Sequence, residues 1–137
     1  MSEHKELETY FDGVQGTGVL STADGDGVVN SAIYARPHFL DDGNVAFIMR
    51  ERLTHQNLLT NRHAAYLFIE AGGGYKGRRL HLTRLTETSD PELVEKMKRR
   101  TYVDDHEVTQ YVVRFRIDRV MPLLGPGGEN IAESQIG

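Results

Sequence analysis

Apolar positions recur along this chain in two periods, and each change of period predicts a new element. Leu7, Tyr10, Phe11 and Val14 fall at i, i+3, i+4 and i+7, one stripe of a helix of about three turns. Gly13 and Gly16 mark its end. A short strand, TGVLST, follows with Val19 and Leu20. Asp24-Gly25-Asp26-Gly27 then reads as a hairpin turn. The acidic ligands and closing glutamate of a calcium loop are missing there. A second strand runs from about Val28 to Phe39. Val28, Asn30, Ala32 and Tyr34 share one of its faces, and Val29, Ser31, Ile33 and Ala35 the other. Neither face is charged before Arg36, so both are expected to be covered, as inside a small barrel. Pro37 suits the end or an edge of this strand. Asp41-Asp42-Gly43 is the next turn, and Asn44–Met49 the third strand, which completes an antiparallel meander.

The second half repeats the alternation. A short helix with Leu58 and Leu59 on its buried side precedes Ala64–Glu70, an apolar run of strand length. The segment Gly72–Gly77 is a loop between strands, without the spacing of a nucleotide-binding glycine motif. Arg79–Thr86 alternates again, Leu80 and Leu82 against His81 and Thr83. Asp90-Pro91 opens a further helix, with Asp as N-cap and Pro at the first helical position. Leu93, Val94 and Met97 form its apolar face. Lys96, Lys98, Arg99 and Arg100 come late in it and suit the negative end of the helix dipole. Val113–Asp118 has the clearest period of two: Val113, Phe115 and Ile117 in, Arg114, Arg116 and Asp118 out. The order is helix, three strands, helix, two strands, helix, strand. Closing such a sheet into a barrel removes exposed edges.

Composition narrows the function classes. At 137 residues and 39% hydrophobic, the chain suits one domain with a small core. We expect a core over about 14–121 and a polar tail over 125–137. The net charge of −4 argues against a dedicated nucleic-acid binder. The absence of cysteine excludes disulfides, thiolate catalysis and cysteine-ligated metals or clusters. No secretory signal opens the chain and no apolar run has membrane-spanning length, so the expected location is the cytoplasm.

One stretch carries candidate chemistry: Phe47–His63, FIMRERLTHQNLLTNRH. It reads as a strand end, a basic turn and a helix start, with Thr54 as candidate N-cap. A helix N-terminus offers unpaired N–H groups and partial positive charge, which suits a phosphate. Arg50 and Arg52 add forked, charge-assisted donors. An ordinary capped helix with two solvated arginines satisfies the same pattern.

Residues 18–70, GVLSTADGDGVVNSAIYARPHFLDDGNVAFIMRERLTHQNLLTNRHAAYLFIE, resemble the FMN-binding split-barrel family related to pyridoxamine 5′-phosphate oxidase. The likeness spans roughly residues 14–121 and is closest to the short, stand-alone FMN-binding proteins of that family. Gln56-Asn57-Leu58-Leu59-Thr60-Asn61-Arg62 is its most specific part. The resemblance implies a mainly β fold, a six-stranded antiparallel split barrel of Greek-key type. It also implies a homodimer with FMN in each of two interfacial clefts. By that resemblance the phosphate and ribityl chain contact Asn30, Ser31 and Ala32, then Met49 and Arg50, then Arg52, Leu53, Thr54 and Asn57. The partner subunit would add Tyr75, Lys76, Arg78, Met121 and Pro122. Two departures stand out. Thr54 occupies a place where relatives often have lysine, which leaves the phosphate charge to Arg50 and Arg52. The oxidase's C-terminal Arg and His motif is absent from GPGGENIAESQIG, so pyridoxamine phosphate oxidation is not expected.

The remaining chemistry is sparse. The histidines, His4, His38, His55, His63, His81 and His106, show no i, i+4 metal-site pair. His81 reads as a barrel-surface residue. His55 in the first helical turn suits either a phosphate contact or solvent. Ser21, Ser31, Ser89 and Ser134 lack a nucleophile-elbow context. Tyr34 reads as a core tyrosine or as a neighbour of the flavin ring. A flavin brings its own redox chemistry, so the lack of an acid–base pair does not exclude an enzyme. Three readings follow: an FMN-dependent oxidoreductase with a small-molecule redox partner, a non-enzymatic FMN electron carrier, or a split-barrel module holding haem or a deazaflavin.

Overall fold

The computed structural model describes residues 4–97, 109–125 and 129–130. In chain order the elements are α1 (Lys5–Asp12), β1 (Gly16–Ala23), β2 (Val29–Tyr34), β3 (His38–Phe39), β4 (Val45–Arg50), α2 (Leu53–Thr60), β5 (His63–Glu70), β6 (Gly77–Thr88), α3 (Pro91–Met97), β7 (Gln110–Pro122) and β8 (Glu129–Asn130). Seven strands follow one hydrogen-bonded path, β2-β1-β5-β6-β7-β4-β3, with β8 alongside β7. Every pairing is antiparallel. The two ends of the path, β2 and β3, are consecutive in the chain. The sheet therefore curls back on itself across the bend at residues 35–37, as a split barrel. The β1–β5 and β4–β7 pairings are long-range connections of the Greek-key kind.

The inner face of the curl is the core. Leu20, Phe47, Met49, Tyr66, Phe68, Leu80, Leu82, Val113, Phe115 and Ile117 meet there, joined by Leu7 and Phe11 of α1 and Leu58 of α2. A second, smaller cluster lies where Val94 of α3 packs with Ala46 and Val112, with Ile48 and Met97 against it. It covers the opposite face of β4, which is why three successive β4 residues, Val45, Ala46 and Phe47, are all buried. Arg36 fixes the exit of α1: it donates to the carbonyls of Phe11 and Val14, each at 2.8 Å. A cation at a helix C-terminus satisfies carbonyls that the helix leaves open. Asp90 caps α3 as expected, its carboxylate accepting the Glu92 N–H at 3.0 Å. No helix among the described residues is long and apolar enough to cross a membrane.

Several expectations need correction. The single strand Val28–Phe39 is broken at residues 35–37 into β2 and β3, giving seven strands on the path where six were expected. Pro37 has no N–H to donate to a ladder, and the chain turns there from one sheet edge to the other. The face of β2 holding Val29, Ser31, Ile33 and Ala35 is not covered within the chain: Val29 is 77% exposed and Ile33 72%. Leu59 points outward at 56% exposure, leaving Leu58 to anchor α2. Leu93 of α3 is likewise exposed, and Val94 does the packing. Thr83 is buried, not solvent-facing. β7 carries an extra residue, Asp118, opposite the His81–Leu82 step, and the Thr83 hydroxyl donates to it. β8 falls within the stretch expected to be a polar tail. Lys98, Arg99, Arg100, His106 and, within the tail, residues 126–128 and 131–137 lie outside the described residues.

Candidate functional site

β4 and α2 are separated by two residues, Glu51 and Arg52. Arg52 is extended, with φ −140° and ψ −173°, and stands at the N-cap without a side-chain capping bond. Its carbonyl accepts the Gln56 N–H at 3.0 Å, and its own N–H donates to Arg50 at 2.8 Å. Thr54 is therefore not the cap. It lies inside the helix, buried, where its hydroxyl is bonded to Tyr34. The first turn of α2 thus begins without a capping side chain and without an acidic residue. Free N–H groups and the helix dipole there favour an anion.

That turn forms one wall of an open cleft of about 970 Å³. Asn30, Ser31, Ala32, Ile33 and Tyr34 of β2 form another wall, and Gly16, Thr17 and Gly18 of β1 line it further on. Phe47 and Ile48 contribute from β4, and Gln110 from the start of β7. Four basic side chains line it as well: Arg36, His38, Arg50 and Arg52. Among the described residues no aspartate or glutamate does. The charge in the cleft is one-sided although the chain as a whole is acidic. Tyr34 resists ionisation there: burial pushes its hydroxyl above the ordinary range, while the Thr54 bond and the Arg52 charge pull the other way.

Of the residues singled out in sequence, Asn30, Ser31, Ala32, Arg50, Arg52, Leu53 and Thr54 come together in this cleft. The others do not line it. Met49 points into the core, since alternation along β4 sends it to the face opposite Ile48. Asn57 is buried and donates to the Thr22 hydroxyl at 3.1 Å, tying α2 to β1. Tyr75 and Lys76 are exposed in the turn between β5 and β6. Arg78 lies over the Tyr10 ring at 4.1 Å. Met121 is buried, and the Pro122 carbonyl accepts from Arg79 at 2.8 Å. His55 neither lines the cleft nor meets solvent; it is turned into the protein. Sequence reasoning missed Arg36, His38 and Gln110. A sign for the first two was present, because they interrupt an otherwise uncharged strand beside Pro37. Gln110 carries no comparable signal.

No family model matches the chain, and no curated protein matches it. Solved structures do. HupZ of Group A Streptococcus superposes with a TM-score of 0.66 at 16% identity, covering 90% of this chain and 96% of that one. An FMN-binding protein of Syntrophomonas wolfei gives 0.63 at 17%, covering 85% and 82%. A pyridoxamine 5′-phosphate oxidase-like protein of Lactobacillus delbrueckii gives 0.61 at 17%, covering 85% and 91%. The chain has the fold of the pyridoxamine 5′-phosphate oxidase-like split barrels. At this identity the likeness is one of fold. Within the split barrel, the basic cleft lies between the strand-to-helix turn and the edge strand β2.

Proposed function

We propose that this split-barrel protein binds FMN in the basic cleft and acts as a flavin-dependent oxidoreductase on a small acceptor. The observation that carries the reading is the pair Arg50 and Arg52 at the entry to an uncapped helix start, in a cleft that no carboxylate among the described residues lines. This donor set fits a phosphate: two guanidinium groups give forked hydrogen bonds, and the α2 N–H groups add to them. Asn30 and Ser31 offer hydrogen bonds of the type a ribityl chain needs. The cleft volume lies at the upper end of the range for small-molecule sites, about 300–1,000 Å³. FMN would supply one- and two-electron redox chemistry when bound, and the protein's part is to bind it and control access. The name of the S. wolfei protein, an FMN-binding protein of the same fold, supports this choice of ligand.

The reading includes a homodimer. The uncovered face of β2 presents Val29 and Ile33, and Ile33 also belongs to the cleft wall. A second copy packed there would bury apolar surface and narrow an open cleft. Tyr75, Lys76, Arg78, Met121 and Pro122, which do not line the cleft of their own chain, are then the candidates for contact from the partner subunit. A cytoplasmic location belongs to the same proposal.

A visible spectrum of the purified protein, with mass identification of the released cofactor, tests the ligand. Flavin absorption and an FMN mass are expected. A haem or deazaflavin spectrum would replace FMN, and no retained or added chromophore would remove the reading. Oxidation of a reduced nicotinamide coupled to an acceptor, above the rate of free FMN, separates the enzyme from a non-enzymatic electron carrier.

A further inference from the structure

Behind the arginine turn lies a polar cluster that does not line the cleft. His55, in the first turn of α2, is 2% exposed. Its ring lies flat on Tyr111 of β7, with centroids 4.0 Å apart and planes 9° from parallel. Nε2 meets both oxygens of Glu87 on β6, at 2.9 and 3.0 Å. Nδ1 is buried without a hydrogen-bond partner and faces Glu51 at 3.5 Å. The other oxygen of Glu51 accepts the Tyr111 hydroxyl at 2.6 Å. Arg84 closes the far side, 3.9 Å from Glu87 and donating to the Leu58 carbonyl at 3.1 Å.

Glu51 is the residue between Arg50 and Arg52. Its side chain is drawn toward β7 and α2, and it does not line the cleft. The Tyr111 bond, with the His55 charge and contact adding to it, holds its carboxyl below the ordinary glutamate range. Glu51 therefore stays an anion, with its carboxylate held on Tyr111 and His55 and away from the cleft. Burying a histidine among carboxylates is a poor way to gain stability alone, since apolar side chains fill such a space with less desolvation. What the cluster achieves geometrically is to tie a two-residue turn to two strands and one helix.

We infer that Glu51, His55, Tyr111 and Glu87 form a positioning network that fixes the turn from which Arg50 and Arg52 reach into the cleft. The inference rests on the reading of that cleft as an FMN phosphate site. These side chains act through the arginines and touch no ligand themselves.

Tyr111→Phe is the probing variant, because it keeps the ring on His55 and removes only the hydroxyl that holds Glu51. Glu51→Gln is the second. Two measurements are made on the whole chain: FMN affinity by fluorescence titration, and amide hydrogen exchange over residues 50–54 without FMN. The expected results are faster exchange in that segment and FMN affinity reduced by about tenfold. In an Arg52→Ala background, Tyr111→Phe is expected to cost little further affinity, because the two changes disable one device. Unchanged exchange in both variants overturns the network. Full additivity with Arg52→Ala overturns it too, since a role confined to general stability does not couple to that arginine. If the wild-type protein binds no FMN while exchange still quickens, the cofactor reading fails and the control of the turn stands.

Discussion

The Tyr66 hydroxyl occupies the space that a Cβ on Gly18 would fill. From there it reaches the Ala35 carbonyl at 3.0 Å and that of Tyr34 at 3.3 Å. One side chain of β5 thus crosses β1 and holds the bend where the sheet passes from β2 to β3. Only glycine leaves room for that crossing. We expect Gly18→Ala to destabilise the protein by about 1–3 kcal/mol, the usual range for overpacking. Tyr66→Phe in the same chain should not relieve the strain, because the ring carbon bearing the hydroxyl and the Tyr34 carbonyl also crowd the added Cβ. Urea denaturation of both single variants and the double variant measures this. An unchanged midpoint for Gly18→Ala would mean that the bend is held by something else.

How much of this was legible in sequence depends on the range of each interaction. The alternation of Val113, Phe115 and Ile117 is local, and all three are buried as read. Asp90-Pro91 is local too, and the cap is there. The single strand Val28–Phe39 failed because its break is decided by which edge each half pairs with: β2 takes β1, and β3 takes β4. Leu58 and Leu59 look alike in sequence, and only the position of the sheet under α2 chooses between them. For the cleft, the alternation of Asn30, Ala32 and Tyr34 and the basic turn were both visible. The role of His55 was not. Its partners, Glu87 and Tyr111, lie 32 and 56 residues away in sequence, and no spacing rule connects them.

If the basic turn holds the FMN phosphate, its two arginines are separable by mutation. Arg50→Ala and Arg52→Ala should each weaken FMN binding by about 1.5–3 kcal/mol, roughly tenfold to 150-fold, for the loss of a charged hydrogen bond. Arg52→Lys keeps the charge but not the fork, and should recover only part of the loss. Riboflavin, which lacks the phosphate, should bind the wild-type protein and the Arg52→Ala variant nearly alike. Titration of flavin fluorescence distinguishes these cases. Unchanged FMN affinity in both alanine variants would remove the turn from the site.

The exposed β2 face tests the dimer. Ile33→Asp places a charge on a surface that is 72% exposed in a single chain, so the isolated fold should tolerate it. A dimer burying that face should not, because an unpaired charge is costly to desolvate. The expected outcome in analytical ultracentrifugation is a dimer for the wild-type chain and a monomer for Ile33→Asp. The variant should keep its strand content by circular dichroism and bind FMN more weakly. A variant that stays dimeric with full affinity would move the interface elsewhere.

Tyr10 supplies a pH signature of the fold that does not involve the cleft. Its hydroxyl donates to Glu70 at 2.6 Å, and the Arg78 guanidinium lies over its ring at 4.1 Å. Burial first, then the Glu70 hydrogen bond and charge, together push the phenol up from 10.0 to about 12 against the opposing Arg78 charge. A folded value above the unfolded one means that the unfolded chain loses this proton first. The stability contributed is then fully present below pH 10 and is lost as the pH rises toward 12. Tyr10→Phe has no such proton, so its stability should fall less steeply across that window. Unfolding free energies of the two chains, compared pH by pH, should therefore converge between those limits. A constant difference through the window would show that the Tyr10–Glu70 bond does not survive in solution.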